Sequence, residues 1–171
     1  MPNNSLLLDA VRTMLIRDLG ALDAQVNAYP NDASLWLKPP GISNAAGTLV
    51  LHLCGNLRYF VGGVLGKDGY VRNRDAEFAM RDISRDVLSA EIAATIAGVS
   101  AAFDGMTPSA IEGEYPVPVG QPPMRVRTSD MLVHLTAHLT YHLGQIDYHR
   151  RLLTPSPLAV ENLSLRVMGA R

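Results

Sequence analysis

Residues 131–153 read MLVHLTAHLTYHLGQIDYHRRLL and carry four of the chain's five histidines. His134, His138 and His142 recur every four residues. At about 100° per residue each such step drifts by only about 40°, so the three imidazoles project from one stripe of a helix. His149 lies one further heptad along that stripe. Two imidazoles one turn apart can share an ion, which is the physical content of an HxxxH pair. Thr128 or Ser129 is expected to supply a hydroxyl cap, and Asp130 places negative charge in the first turn. Arg150 and Arg151 place positive charge near the end, as the helix dipole favours. Pro155 and Pro157 then stop the helix.

Working outward, the spacing predicts three more helices. Ser5 opens the first, over about 5–28, where Leu8, Val11, Leu15, Leu19, Leu22 and Val26 step by three and four along one face. Trp36 and the Pro39-Pro40-Gly41 run break the pattern, and Trp36 reads as a core anchor. The second helix, about 44–66 from a Ser43 or Asn44 cap, contains His52 with Thr48 and Asn56 one turn to either side. Ser84 begins a third, about 85–104, striped by Val87, Leu88, Ile92, Ile96, Val99 and Phe103. Its many alanines suit close approach of a neighbouring helix. The charged segment Lys67–Ile83 reads as a solvated crossing. Between Ile111 and Arg127 the period changes to alternation around several prolines, as in a short β-ribbon or extended loop before the last helix. The fourth helix spans about 129–153, and the tail 156–171 is open to reading as a strand, a short helix or a dimer contact. The expectation is all-α: one domain over 1–171, a four-helix bundle with long crossover connections.

Composition bounds the function. Apolar residues make up 47% and charged residues 18% of 171, a globular balance that allows a sizeable core. A net charge of −1 offers no general attraction to nucleic acid or to an anionic membrane surface, so neither is expected as a partner. Cys54 is the only cysteine, which precludes an intrachain disulfide and suits a reducing cytoplasm. Asp9 and Arg12 interrupt the first apolar run, against a signal peptide, and no run of 18 uninterrupted apolar residues predicts a membrane span.

In a helical bundle, metal sites are built from side chains on facing helices. His52 meeting His138 and His142 would give three neutral nitrogen ligands, a set suited to zinc, nickel, cobalt or iron with a coordination position left open. His149, in the last turn, reads as a surface or dipole-stabilising residue, and Cys54, about 200° around the helix from His52, as a small buried apolar group. Asn56 and Gln145 can orient substrate or hydrogen-bond a ligand; Tyr59 and Tyr141 read as core or pocket wall.

The segments HLCGNLRYF and HLTAHLTYHLGQIDYHRRLL resemble the two signature segments of the DinB-like (damage-inducible B, YfiT-like) superfamily of metal-dependent bundle proteins. The resemblance rests on one His in HLxGN followed far downstream by HxxxHxGQ. It implies a metal triad of His52, His138 and His142. A register using His134 and His138 fits the spacing equally well, and Gly144-Gln145 favours the later pair. Tyr141 stands where the family often has a further His. His134 is expected to be a hydrogen-bonded core histidine, with a fourth-ligand or supporting role as the alternatives. The resemblance also implies a divalent ion, zinc or nickel first, a homodimer, and in some members thiol-dependent transfer or isomerisation.

Two functions follow from these residues. In the first, the ion activates a thiol or water for transfer, isomerisation or hydrolysis of a small molecule, with a low-molecular-weight thiol as a candidate partner. HLTAHLTYHLGQ contains no Glu or Asp, so the base adjacent to the metal in HExxH hydrolases is missing. In the second, the protein is a non-catalytic, metal-binding, dimeric stress-response or ligand-binding module.

Overall fold

The computed structural model describes residues 3–154, 160 and 164–168. Among the described residues the chain is all-α, with five α-helices: α1 (Asn3–Asn27), α2 (Ala46–Leu57), α3 (Arg74–Ala79), α4 (Arg85–Asp104) and α5 (Thr128–Leu153). Three of the four expected helices keep nearly their expected limits. The second divides, because α2 runs on without a break into a π-helical segment, Arg58–Leu65.

The stripe read on α1 is the stripe that is buried: Leu15, Leu19, Leu22 and Val26 are fully enclosed, with Leu8 and Val11 nearly so. α1 packs against both α4 and α5, and α2 does the same, so the four long helices enclose one apolar core. At about 0.8 kcal/mol per buried methylene, this shared face is the main stabilising term. Trp36 closes the core at one end. Its indole lies where a Cβ on Gly47 would come within 2.6 Å of the ring, and its Nε1–H donates to the Ile83 carbonyl at 3.0 Å.

Several expectations need correction. The crossing Lys67–Ile83 holds α3, opened by Asn73, whose side chain accepts from Ala76 N at 3.0 Å. Most alanines of α4 do not admit a neighbouring helix: Ala90, Ala93, Ala94, Ala97 and Ala101 face outward, and Val87 is exposed as well. Ala102 is the one that is buried, where a Cβ on Gly66 would come within 2.8 Å of it. Neither Thr128 nor Ser129 caps α5; Arg127 holds the cap position and pairs with Asp130 at 3.0 Å. Near the end of α5 His149 and Arg150 are buried, covered by α1 and by the chain around Leu37, while Arg151 and Leu152 stay exposed. His149 lies between the Tyr29 hydroxyl, 2.8 Å from Nδ1, and the Leu37 carbonyl, to which Nε2–H donates at 2.9 Å. Arg150 donates to Gln25 and Asp147 at 2.7 and 3.0 Å.

The stretch before α5 contains no strand among the described residues. It is a hairpin-like loop with two isolated antiparallel bridges, Glu114 with Arg127 and Val119 with Met124. Pro155, Pro157 and most of the tail 156–171 lie outside the described residues, and Leu165–Met168 forms a short 3-10 turn. Two helical runs, Ala46–Leu65 and Arg85–Asp104, are long and apolar enough to cross a membrane. The first is a core helix, 67% buried inside the fold.

Candidate metal centre

α2 and α5 bring His52, His138 and His142 together. His52 Nε2 lies 3.3 Å from His138 Nε2, and His142 Nε2 lies 3.1 Å from the same atom. The three ligand atoms all fall within 4.8 Å of one another, so the group can hold a metal ion. Nitrogens about 2.0–2.1 Å from a tetrahedral zinc ion sit roughly 3.3 Å apart, close to the two separations seen.

The remote ring nitrogens decide the tautomers. His52 Nδ1 lies 3.1 Å from Glu77 Oε2, and a carboxylate can only accept, so Nδ1 carries the proton and Nε2 presents its lone pair. His142 Nδ1–H donates to Gln145 Oε1 at 2.7 Å with the same result. At most one of the two lone pairs aimed at His138 can receive its single Nε2–H. A cation at the centre satisfies all three nitrogens at once. Such partners of the second ring nitrogen orient metal-bound imidazoles and raise their basicity.

Burial, first, and then the neighbouring His142, His52, His134 and Arg72 hold His138 down to a pKa of about 4. Burial also lowers His52, with Arg72 and His142 adding to it, against the hydrogen bond that its Nδ1–H donates to Glu77. Both rings are therefore neutral at pH 7, the form that ligates.

Glu77 is the functional residue that sequence reasoning missed. It is 5% exposed and is gripped by Arg72, whose Nε and Nη2 donate to its two oxygens at 2.7 and 2.8 Å. Arg72 Nη2 also sits 3.2 Å from His52 Nδ1, but two donors cannot bond, so the carboxylate is the partner of both. Gly55 makes this arrangement possible, since a Cβ there would lie 2.1 Å from Glu77 Oε1. The sequence did hold a signal: Asn73 followed by Asp75 and Glu77 has the cap and acidic first turn of a short helix.

The remaining sequence candidates take varied places. Gln145 is exposed and holds His142. Tyr141 is 65% exposed and so not core, but it walls an open pocket between α1 and α5 with Val11 and Thr140, and its ring is edge-on to His142 at 5.2 Å. His134 is exposed, which corrects its reading as a hydrogen-bonded core histidine; its ring stacks on His138 with centroids 6.1 Å apart, and it stands outside the three-atom group. Asn56 is buried one turn beyond His52, with its Oδ1 unpaired. Cys54 is buried and directed away from the cluster, its thiol pushed up to about 12 by burial above all.

The family described as "Protein of unknown function (DUF1572)" matches residues 4–160. The chain belongs to this family. The DUF1572 match runs from α1 through α5, so all three histidines, Glu77, Arg72 and Gln145 lie inside it. No curated protein matches the chain.

Proposed function

We propose that this DUF1572 protein is a DinB-like four-helix-bundle metalloprotein, with α1, α2, α4 and α5 as the bundle and two crossovers, and that His52, His138 and His142 hold a divalent ion, zinc or nickel. The observation that carries the reading is the convergence of three Nε2 atoms while Glu77 and Gln145 accept hydrogen bonds from the Nδ1–H groups of two of the rings.

Bound there, a divalent ion supplies Lewis acidity, lowering the pKa of a thiol or water it coordinates toward neutrality. The chain's own residues set the rest. Three neutral imidazoles leave the full charge of the ion uncompensated, which favours an anionic thiolate, hydroxide or carboxylate over a neutral ligand. Glu77 faces the back of His52 and is held by Arg72, so it positions that ring and is not placed to take a proton from a ligand on the Nε2 side. The reaction class that fits is thiol transfer, isomerisation or hydrolysis of a small molecule in which the nucleophile is made by the ion. A homodimer in the cytoplasm, with a low-molecular-weight thiol as co-substrate, completes the proposal.

The test is elemental analysis of protein purified without a metal-affinity tag, in parallel with His52→Ala, His138→Ala, His142→Ala and His134→Ala. Near-stoichiometric metal in wild type and in the His134 variant, with loss in the other three, is expected. Wild type that takes up neither zinc nor nickel on reconstitution sinks the reading.

A further inference from the structure

Beside the three histidines, separated from them by the His134 ring, lies a cavity of about 390 Å³. Phe60 of the π-helical segment and Met131 and Leu135 of α5 form its inner wall, while Val119, Met124 and Val126 of the hairpin-like loop form the outer one. The loop is fastened over the opening. The Tyr115 hydroxyl donates to the Phe60 carbonyl at 2.5 Å, Tyr115 N–H donates to Val126 O at 2.9 Å, and Val119 and Met124 exchange backbone bonds.

One polar group inside this apolar surface lacks a partner. Asn56 lines the cavity, is only 8% exposed, and its Oδ1 is buried without a hydrogen bond. Buried carbonyl oxygens are almost always paired, and leaving one unpaired carries its full desolvation cost. A pocket with apolar walls and one or two placed polar groups is the usual form of a small-molecule site. The only carboxylate on the lining is Asp130 at the rim, already paired with Arg127 at 3.0 Å. Among the described residues no Lys or Arg lines the cavity, so a phosphate or carboxylate finds no side-chain cation among them.

We propose that this cavity binds an uncharged, mainly apolar small molecule through one N–H or O–H donor to Asn56 Oδ1, and that it is the substrate subsite of the three-histidine centre. The second half rests on the metal reading above; the first half does not. His134 connects the two, since it lines the cavity and stacks on His138.

Indole and benzothiophene, nearly the same shape but with and without an N–H donor, are the probes. Each is titrated into metal-free protein carrying ¹³C-labelled methionine methyl groups, and Kd is read from the Met124 and Met131 signals. Indole is expected to bind about tenfold more tightly than benzothiophene, the effect of one buried hydrogen bond. In Asn56→Leu the preference is expected to vanish or reverse. Equal or inverted affinities in wild type overturn the proposal at the Asn56 contact, and no shift of either methionine at millimolar probe overturns the binding site and leaves a cavity that holds only water. The comparison in wild type decides even if the variant does not fold. The subsite half is read in cobalt-loaded protein, where bound indole should show enhanced proton relaxation. Cobalt bound without enhancement overturns that half alone, and failure of cobalt to bind overturns it together with the metal reading, while the two affinities still judge the cavity.

Discussion

Replacing Gly55 with alanine should stabilise a helix interior by about 1 kcal/mol, because alanine loses less backbone freedom on folding. In this protein the opposite is expected. The new Cβ would lie 2.1 Å from Glu77 Oε1 and 2.7 Å from its Cδ, whereas ordinary contact begins near 3.4 Å, so the carboxylate has to retreat by about 1.3 Å. A free glutamate would swing aside. Glu77 is instead held by two bonds from Arg72 at 2.7 and 2.8 Å and lies 3.1 Å from His52 Nδ1. A retreat of that size breaks one of these attachments. Loss of a buried ion-pair partner costs about 3–5 kcal/mol, and partial loss less, so a net destabilisation of roughly 1–4 kcal/mol is expected after the helix gain. Metal affinity should fall by about 10–100-fold, the usual effect of disturbing the partner of a ligating histidine. Denaturant unfolding of metal-free protein reads the first number, and zinc titration against a competing chelator reads the second. A Gly55→Ala protein with raised stability and unchanged zinc affinity would refute the account of Glu77 as a fixed support for His52.

Three further outcomes follow from other parts of the molecule. Cys54, with its thiol raised to about 12, should resist iodoacetamide at pH 8 in the native state and react stoichiometrically once unfolded, which mass spectrometry reads directly. Asp147→Asn leaves Arg150, only 2% exposed, with its bond to Gln25 but without a counter-charge, and should cost up to about 3–5 kcal/mol in denaturant unfolding at pH 7. Burial works to raise the Asp147 carboxyl, but hydrogen bonds from Gln25, Arg151 and Arg150 outweigh it and hold the carboxyl below its ordinary 3.8. A depressed folded value means stabilisation present in full above about pH 4 and lost as pH falls through the folded value, so the gap between wild type and variant should narrow below pH 3.8. Tyr29→Phe removes the hydroxyl that lies 2.8 Å from His149 Nδ1 and 3.1 Å from the Ile146 carbonyl, and should cost about 1–3 kcal/mol in the same unfolding assay.

Elements governed by local periodicity were legible in the chain. The α1 stripe, the limits of α4 and the shared face of His138 and His142 all follow from a 3.6-residue repeat, and the structure keeps them. Features that depend on what lies opposite were not. His149 and Arg150 have the composition of an exposed helix end, yet Gln25 and Tyr29, more than a hundred residues earlier, enclose them. The outward alanines of α4 look like a packing face because small size permits close approach but does not require it. Glu77 was hidden for a similar reason: its charge matches its neighbours in the crossing, and only the missing side chain of Gly55 lets it reach His52.

The hairpin-like loop that walls the cavity and the helices that carry the histidines are separate stretches of chain. Val119, Met124 and Val126 occupy a segment tied down mainly through Tyr115 and a few backbone bonds, whereas His52, His138 and His142 are held by helices sharing one core. Residues can be exchanged or inserted near Gly120 without displacing a helix, since surface loops accept such change far more readily than packed elements. Ligand preference can thus drift among descendants of this chain while the imidazole cluster stays fixed. For the same reason, loop grafting between relatives is the direct way to redirect the pocket.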